Sequence, residues 1–529
     1  MSVEPMTIGK FEEFYQAEYP ILVKFLVFFG ASVVEAEDAA QRAMTDLYSR
    51  LKEGKDAILC PAPWARRAAH RYFVKERQRE RERLPREIAG SHLVVEAFAS
   101  AARVLRADRE EALQRNPQGG AAGLSSADRP QLPCCLSGLV RCECPIYGGS
   151  RGRGKEGSMK TRAAILRGVG QDFEIAELDL DPPKAGEVLI RYVAAGLCHS
   201  DEHLRHGDLV PRFPLVGGHE GAGVIEEVGE GVTRLKPGDH VICSFLPVCG
   251  HCRWCSTGKS NLCDMGATIL DGCLPDGTYR FHAGGEDFGG MCMLGTFSER
   301  ATISENSCIK VDPDLPLDKV VLIGCGVPTG FGSAVHAAAT EPGDTIAIYG
   351  VGGIGINAVQ GAALAGARNV VAIDPLANKQ EIAEQLGATH SCETAEQAQE
   401  LISDLTRGVG ADKAIVTVGV VTSEVVANAF NAIRKGGTVV VTGLADPTKN
   451  TIELPGAVLT LFEKRIQGSL FGSGDPFHDI PRMVELYQAG DLKLDELITS
   501  TYTLDQVNQG YQDLLDGKNI RGVILHSAA

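Results

Sequence analysis

The chain has 529 residues, of which 44% are hydrophobic and 23% charged, and its net charge is −16. This length exceeds what one hydrophobic core supports, so we expect two to four domains. The negative charge excludes polyanion binding by the molecule as a whole. The sixteen cysteines are more typical of thiolates kept reduced for metal binding than of disulfides, which favours a cytoplasmic protein.

Residues 1–90 are predicted to be helical. Apolar residues recur at helical spacing in FEEFYQAEYPILVKFLVFFG and in the segment that follows Ser32, a candidate N-cap. The apolar stripe of this second helix consists of Val33, Ala36, Ala40, Met44 and Leu47. The run ILVKFLVFFGASVV is interrupted by Lys24 and is too short for a bilayer, and its acidic flank does not fit a signal peptide. We expect no membrane association.

Residues 91–158 lose this periodicity, and their frequent Gly, Pro and Ser predict a disordered linker. From Met159 onward, short alternating segments separated by turn residues predict strands. Between 326 and 470, strand patterns such as TIAIYG, NVVAID and TVVVTG alternate with helical segments. This βαβ series predicts a parallel sheet with helices on both faces.

The segment TIAIYGVGGIGINAVQGAALAGARNVVAID predicts a dinucleotide-binding turn, because a strand leads into GVGGIG and a helix follows. The glycines of this motif are Gly350, Gly352, Gly353 and Gly355. Gly350 permits the tight turn, Gly352 lets a pyrophosphate approach the helix N-terminus, and Gly355 permits close packing. Asp374 ends the next strand and is expected to bind the adenosine ribose. Its charge would repel a 2′-phosphate, which favours NAD over NADP.

The loop CGHCRWCSTGKSNLC contains four cysteines at metal-site spacing. They are Cys249, Cys252, Cys255 and Cys263. Four thiolates complete the tetrahedral shell of a structural zinc and leave no position for a substrate. Iron–sulfur ligation is the alternative interpretation of four such cysteines.

Three further candidate ligands are scattered along the chain. Cys198 lies in GLCHSDEH, His219 in GGHEGAG and Cys325 in IGCGVPTGFGSAV. Two cysteines and a histidine with an open fourth position form the alcohol-dehydrogenase type of catalytic zinc site. Sequence spacing alone does not group these residues, and each by itself is more typical of a buried cysteine or a core histidine.

Several motifs together connect the chain to a known family. They are GLCHSD, GHEGAGVIEEVG, PGDHV, CGHCRWCSTGKSNLC, IGCG, GVGGIG and IRGVILH. Through them residues 159–529 resemble the zinc-dependent medium-chain alcohol dehydrogenases. The resemblance implies an α/β fold in which a GroES-like, β-rich catalytic domain (159–325 plus 471–529) encloses a Rossmann domain (326–470). The segment DMGATILDGCLPDGTYRF, with LGTFSERATI after it, resembles the longer-loop branch that holds the class I and class III alcohol dehydrogenases. The sequence as a whole is most similar to the NDMA-dependent, nicotinoprotein subgroup, which keeps its NAD bound.

The same resemblance implies a role for each candidate residue and two zinc ions per subunit. It assigns Cys198, His219 and Cys325 to a catalytic zinc, and the four-cysteine loop to a structural zinc. The remaining assignments are Glu220 behind the metal, Ser200 at the substrate oxygen, His203 at the exit of the proton, His199 and Arg521 at the coenzyme pyrophosphate, and Lys379 beside the adenosine ribose.

The implied reaction oxidises a small alcohol to an aldehyde and passes hydride to NAD. Zinc acidifies the alcohol, and Ser200, the nicotinamide ribose and His203 carry the proton to solvent. A class III-like, thiol-dependent formaldehyde dehydrogenase is the rival enzyme. His199 is mostly neutral near pH 7 and would bind a pyrophosphate more weakly than arginine, so other contacts must retain a permanently bound NAD. The family also suggests a homo-oligomer.

The basic segment at 61–90 points to a different function for the N-terminal region. It has nine lysines and arginines against four glutamates, and Trp64, Tyr72 and Phe73 between them could stack on unpaired bases. Residues 11–86 resemble region 2 of an extracytoplasmic-function sigma factor, which binds promoter DNA and RNA polymerase. ERQRERER is also typical of an ordinary solvated helix, and no helix-turn-helix pattern occurs in 90–158.

Two origins remain for this arrangement. One is a genuine sigma-type transcription initiation protein fused to a dehydrogenase that acts as a redox sensor. The other, which we favour, is a gene model that joins a broken sigma-factor frame to a dehydrogenase beginning at Met159.

Overall fold

The computed structural model describes residues 158–209, 211–446 and 451–526, a helix at 33–53, and isolated positions at 11, 14–16, 19, 22–23, 69 and 72. The chain forms two compact units, Met1–Leu26 with Gly30–Arg153 and Val27–Phe29 with Gly154–Ala529. The predicted N-cap Ser32, the linker at 91–157, and Trp64 and Phe73 of the basic segment lie outside the described residues.

Helix α1 (Val33–Glu53) is the main described element of the first unit. The members of the predicted stripe whose side chains are described, Ala36, Ala40, Met44 and Leu47, are at most 1% exposed. The Tyr72 hydroxyl donates a 3.3 Å hydrogen bond to Asp46 on this helix. Helical periodicity therefore predicted the buried face of α1 correctly.

The second unit alternates strands and helices. Its strands are β1 (Met159–Leu166), β2 (Glu174–Leu180), β3 (Glu187–Leu197), β4 (Leu215–Val216), β5 (Glu220–Val228), β6 (His240–Cys243), β7 (Phe281–Ala283), β8 (Glu286–Gly290), β9 (Arg300–Ser304), β10 (Cys308–Val311), β11 (Thr345–Tyr349), β12 (Asn369–Ile373), β13 (His390–Cys392), β14 (Ala411–Val416), β15 (Val420–Val421), β16 (Ile433–Val441), β17 (Leu444–Ala445), β18 (Arg465–Gly468), β19 (Ile498–Tyr502) and β20 (Arg521–Leu525). Its helices are α2 (His199–His206), α3 (Arg253–Ser256), α4 (Leu317–Val320), α5 (Gly326–Gly332), α6 (Gly355–Leu364), α7 (Ala377–Gln385), α8 (Ala395–Thr406), α9 (Ser423–Ala432), α10 (Gly456–Leu461), α11 (Pro476–Gln488) and α12 (Val507–Leu515).

The β-rich part of this unit consists of a barrel and an adjoining sheet. Strands β1, β2, β7, β8 and β4 close into the barrel. The sheet has the order β10-β6-β5-β3-β20-β19, with β9 also pairing with β3. Strand β3 pairs antiparallel with β5 on one side and with β20 on the other. The end of β3 therefore meets both the start of β5 and the C-terminal strand.

The six strands β13-β12-β11-β14-β16-β18 form a second, entirely parallel sheet. Every residue of β11 is buried, which is typical of parallel strands covered by helices on both faces. A large hydrophobic cluster runs from Ile242 of β6 through Val327 of α5 to Ile346 of β11, so the β-rich part and the parallel sheet share a core. The predicted α/β fold class is confirmed for the described part of the chain.

Among the described helices, no single one combines the length and apolar composition needed to cross a bilayer. One bent pair, Leu317–Gly324 with Gly326–Ala337, meets that test by length and composition. Its apolar residues belong to the shared core, where Val321, Leu322 and Val327 have no solvent exposure.

Candidate functional site

The three scattered ligands predicted from the sequence meet in one buried cluster. Cys198 follows β3 at the N-cap of α2, His219 precedes β5, and Cys325 precedes α5. Their ligand atoms, together with a carboxylate oxygen of Glu220, lie within 4.8 Å of one another, and all four residues are buried. The pairing of Gly196 with Glu220 across β3 and β5 explains the approach of the first two.

The donor set of this cluster fits a zinc ion. Two thiols and one imidazole are the protein ligands of a zinc site that keeps a fourth position open. His219 Nε2 is buried and has no hydrogen-bond partner among the described residues. A buried nitrogen of this kind is costly unless something satisfies it, and a metal ion at the two thiols would do so. Cys198, His219 and Cys325 could therefore hold zinc.

Asp201 supports the histidine, although sequence reasoning did not identify it. Its Oδ2 lies 3.1 Å from His219 Nδ1, and its Oδ1 accepts a 2.8 Å hydrogen bond from the Gly218 N–H. A carboxylate on the outer nitrogen of a metal-binding histidine fixes the tautomer and the direction of the ring. The available signal was an acidic residue in the first turn of α2, three positions after Cys198.

Glu220 and Arg521 form a buried ion pair behind the cluster. The second carboxylate oxygen of Glu220 accepts a 3.3 Å hydrogen bond from the Gly326 N–H. Burial raises the pKa of Glu220 to about 7, against the lowering effect of Arg521. A Cβ at Gly353 would lie only 2.7 Å from Arg521 Cδ. Arg521 therefore lies between the cluster and the glycine-rich turn, with its guanidinium directed to Glu220.

The residues predicted to carry a proton lie on helix α2. The Ser200 hydroxyl is 3.6 Å from the Cys198 thiol. His203, one turn further along, is 6% exposed, and its Nδ1 lies 2.9 Å from Asp208 Oδ2. This contact leaves His203 Nε2 for a second partner, and Asp208 is a supporting residue that sequence reasoning missed.

His199 is exposed at the start of the same helix. Burial of its surroundings and the nearby His203 lower the pKa of His199. A Cβ at Gly419, in the segment after β14, would lie 3.5 Å from His199 Nε2. His199 thus lies near a loop at the carboxyl end of the parallel sheet, and its lowered pKa favours the neutral imidazole.

The glycine-rich turn has the geometry predicted for it. Gly350 has φ of 87°, a conformation that favours glycine, and its N–H bonds to the Ile373 carbonyl at 2.8 Å. A Cβ on Gly352 would meet nothing within 4 Å, so this face of the turn is open to a ligand. A Cβ on Gly355 would overlap the Gly350 carbonyl oxygen. Helix α6 begins at Gly355 and points its N-terminus at the open face.

Asp374 anchors this turn as well as bordering it. One of its carboxylate oxygens accepts a 3.0 Å hydrogen bond from the Val351 N–H, and the other accepts one of 3.0 Å from the Leu376 N–H. Its side chain is therefore held at the carboxyl end of β12, next to the turn. Lys379 is half-buried and lies in the first turn of α7, the helix that follows Asp374 in the chain.

The four cysteines of the predicted structural site also converge, with their sulfur atoms within 4.8 Å of one another. Backbone N–H groups of Cys255 and Asp264 lower the pKa of Cys252 to about 6, whereas burial raises the pKa of Cys263 to about 12. A bound cation would favour the thiolate form of all four. The lobe is attached to the segment before α11 by Ser260, which donates to Asp475 at 3.0 Å, and by Asn261, which donates to the Leu470 carbonyl at 2.9 Å.

Two family models match this part of the chain. "Alcohol dehydrogenase GroES-like domain" matches residues 184–313, which contain β3 to β10 and both metal-ligand groups except Cys325. "Zinc-binding dehydrogenase" matches residues 353–489, which contain most of the parallel sheet.

Individual proteins similar to this chain include alcohol dehydrogenases that it matches over their whole length. The NDMA-dependent alcohol dehydrogenase of Amycolatopsis methanolica is 65% identical over 370 residues, which cover 70% of this chain and 100% of the relative. Alcohol dehydrogenase B of Mycobacterium tuberculosis is 44% identical over 371 residues, 70% of this chain and 99% of the relative. The crystal structure of benzyl alcohol dehydrogenase from Acinetobacter calcoaceticus is similar with a TM-score of 0.66 and 31% identity, covering 70% of this chain and 100% of that one.

A buried cluster of two cysteines and one histidine beside a glycine-rich strand-to-helix turn agrees with these matches. These matches establish that the chain is an oxidoreductase acting on CH–OH groups, with zinc and a nicotinamide coenzyme as cofactors. The chain belongs to the zinc-dependent medium-chain alcohol dehydrogenase family.

Proposed function

We propose that this alcohol dehydrogenase is of the NDMA-dependent type, which oxidises an alcohol to an aldehyde and retains its NAD between turnovers. The observation that carries the proposal is the 65% identity to the Amycolatopsis enzyme of that name over its whole length. Asp374 supports NAD as the coenzyme. Its buried carboxylate borders the turn, where the 2′-phosphate of NADP would meet a like charge.

We further propose that Cys198, His219 and Cys325 hold the reactive zinc. Zinc bound there would supply a Lewis acid that lowers the pKa of the substrate alcohol. Ser200, 3.6 Å from the Cys198 thiol, would take the alcohol proton. His203, held by Asp208, would pass it towards solvent, with the nicotinamide ribose between them. The Glu220 carboxylate would approach the metal from the side opposite the substrate, and Arg521 would balance its charge.

The remaining assignments belong to the same proposal. His199 and Arg521 would lie beside the coenzyme pyrophosphate and Lys379 beside its adenosine ribose. The four-cysteine loop would hold a structural zinc, since its cysteines leave no open position. The catalytic domain would comprise 159–325 and 471–529, with the coenzyme domain at 326–470, which contains strands β11 to β18.

Nucleotide release tests this function directly. The purified full-length protein is desalted and denatured, and the NAD(H) set free is measured per chain. About one nucleotide per chain, with alcohol-dependent reduction of a nitrosoaniline dye, is the expected result. No nucleotide, with turnover on added NAD, would contradict the nicotinoprotein assignment and leave an ordinary dehydrogenase. A requirement for a thiol in formaldehyde oxidation would support the class III-like rival instead.

We propose that the enzyme is a homo-oligomer. Every residue of β18, at the edge of the parallel sheet, is exposed, and Leu461 is 77% exposed just before it. An edge strand with exposed apolar neighbours is a site at which another chain can pair. Sedimentation should show an assembly larger than a monomer, and Ile466→Lys in β18 should weaken it. A wild-type monomer at micromolar concentration would contradict this proposal.

The sigma-factor resemblance of residues 11–86 remains a separate proposal. The buried stripe of α1 supports a helical packing unit there, and the basic segment at 61–90 supports contact with nucleic acid. Intact mass in the native host decides between the two origins. A species starting at Met159 would contradict the fused transcription factor, whereas a full-length species that binds RNA polymerase would contradict the gene-model explanation.

A further inference from the structure

The carboxylate of Asp201 has one oxygen whose hydrogen bonding is incomplete. Its Oδ1 accepts from the Gly218 N–H at 2.8 Å. Its Oδ2 lies 3.1 Å from His219 Nδ1, yet this oxygen has no satisfied hydrogen bond among the described residues. The Tyr511 hydroxyl is a second buried polar atom without a partner there. Asp201 and Tyr511 both have no solvent exposure, so neither group can turn to water.

The ring of Tyr511 is fixed against the helix that carries Asp201. Tyr511 belongs to α12, and its ring lies 6.0 Å from the Arg205 guanidinium of α2. Asp201 lies one turn before Arg205, on the same face of that helix. Phe173 stacks on the Tyr511 ring at 5.7 Å, and Phe297 packs against it at 6.2 Å. The ring is therefore held between two aromatic side chains and helix α2.

The electrostatic surroundings of Tyr511 agree with Asp201 as the acceptor for its hydroxyl. Burial raises the pKa of Tyr511 well above its usual value, and the negative charge of Asp201 raises it further. The hydroxyl therefore stays protonated and can only gain by donating to that carboxylate. A phenylalanine would fill the same space, so packing alone does not require a hydroxyl at this position.

We propose that Tyr511 is a positioning residue for the reactive metal site, donating its hydroxyl proton to Asp201 Oδ2. Asp201 then carries two donors on Oδ2, the Tyr511 hydroxyl and the His219 Nδ1–H. The tyrosine fixes the carboxylate, the carboxylate fixes the imidazole, and Nε2 stays directed at the two thiols. This inference rests on the proposed zinc site at Cys198, His219 and Cys325 and goes beyond it by adding a residue that touches neither metal nor substrate.

The rate of zinc release tests the inference without using activity. Purified full-length enzyme is mixed with excess chelator and a colorimetric zinc reporter. Wild type should release two zinc ions per chain in two phases, and Cys325→Ala should lack one of them, which identifies the reactive site. Tyr511→Phe should accelerate that phase by about tenfold, the lower end of the effect seen for partners of metal-bound histidines. The other phase should stay unchanged.

Tyr502 provides a matched control in the same apolar cluster. Its hydroxyl donates to Asp513 at 2.9 Å, away from the metal ligands. Tyr502→Phe should leave both release phases at the wild-type rate. In an Asp201→Asn background, Tyr511→Phe should have no further effect on release, because both changes break the same chain of contacts.

Three results would overturn the inference. Two release phases in wild type that Tyr511→Phe leaves unchanged would refute the positioning role while the metal site stands. Equal acceleration by Tyr502→Phe and Tyr511→Phe would assign the effect to general loosening of the cluster. A wild-type enzyme whose zinc release matches that of Cys325→Ala in amount and in phases would refute the proposed metal site and, with it, this role.

Discussion

Two glycines of the glycine-rich turn should respond in opposite ways to the same small change, the addition of a methyl group. A Cβ at Gly352 would meet no atom within 4 Å, and this glycine does not have a positive φ. Gly352→Ala should therefore leave the fold intact and stabilise it by up to about 1 kcal/mol, through the reduced entropy of the unfolded chain. The added methyl group should nevertheless obstruct the pyrophosphate, weakening NAD binding by roughly tenfold or more, or about 1.4 kcal/mol.

Gly355→Ala should instead damage the fold. Its Cβ would overlap the Gly350 carbonyl oxygen and come within 2.7 Å of Thr417 Oγ1, so the start of α6 must move. Overpacking of this kind costs about 1–3 kcal/mol. At roughly 2–4 °C per kcal/mol for a domain of about 150–250 residues, the melting temperature should fall by roughly 6–12 °C at the upper end of that cost.

The assay combines a thermal melt with the NAD(H) content of each purified variant and with NAD titration of nucleotide-free protein. Gly352→Ala should melt at or slightly above the wild-type temperature with little nucleotide, whereas Gly355→Ala should melt lower. Normal nucleotide content in Gly352→Ala would refute the assigned pyrophosphate face. A wild-type melting temperature for Gly355→Ala would refute the packing argument.

Three further outcomes concern the metal lobe, the buried ion pair and the C-terminal histidine. Cys252→Ser should remove one zinc ion and lower the melting temperature, while its neighbour change Ser256→Ala should do neither; an unchanged melt in Cys252→Ser would count against a structural zinc. Arg521→Met should lower the free energy of unfolding in urea by roughly 3–5 kcal/mol, because it leaves the buried Glu220 carboxylate without its cationic partner. Adding Glu220→Gln should recover stability, and a double variant no more stable than Arg521→Met alone would contradict this prediction. Burial lowers the pKa of His526 to about 4. Below a pH of about 6.5 the unfolded chain therefore binds a proton at this histidine that the folded chain does not bind. The free energy of unfolding should fall by roughly 2 kcal/mol from pH 7 to pH 5. The His526→Gln variant should lose roughly 2 kcal/mol less stability than wild type between pH 7 and pH 5. An identical pH dependence of stability in both proteins would refute the role of His526.

Local patterns were enough to predict the glycine-rich turn and the four-cysteine loop. In both, the functional atoms belong to one short stretch of chain, so the spacing between residues directly limits the geometry. The strand before Gly350, the helix after Gly355 and the carboxylate at Asp374 each follow from neighbours in sequence. The same reasoning identified the buried stripe of α1 from its helical period.

The reactive cluster could not be assembled from spacing, because tertiary pairing brings it together. The register of β3 against β5 places Cys198 near His219, and the pairing of Gly522 with Leu197 brings Arg521 to the same end of β3. These contacts connect strands far apart in the chain, which no local period encodes. The family resemblance supplied the grouping that the residues alone left open.

The supporting carboxylates were missed for a related reason. Asp208 follows the end of α2 that carries His203, whereas Asp201, in the first turn of α2, contacts a histidine that is distant in sequence. An acidic residue near a helix end is most often a solvated one. Only their burial and direction separate them from ordinary surface charges.

The zinc content and alcohol oxidation of Cys325→Ala test the central claim, that the reactive metal is held by Cys198, His219 and Cys325 rather than by the four-cysteine loop. The account predicts that the purified variant keeps one of two zinc ions and stays folded, as judged by a wild-type circular dichroism spectrum. It also predicts no detectable oxidation of alcohol. A variant that retains two zinc ions and oxidises alcohol would contradict the account.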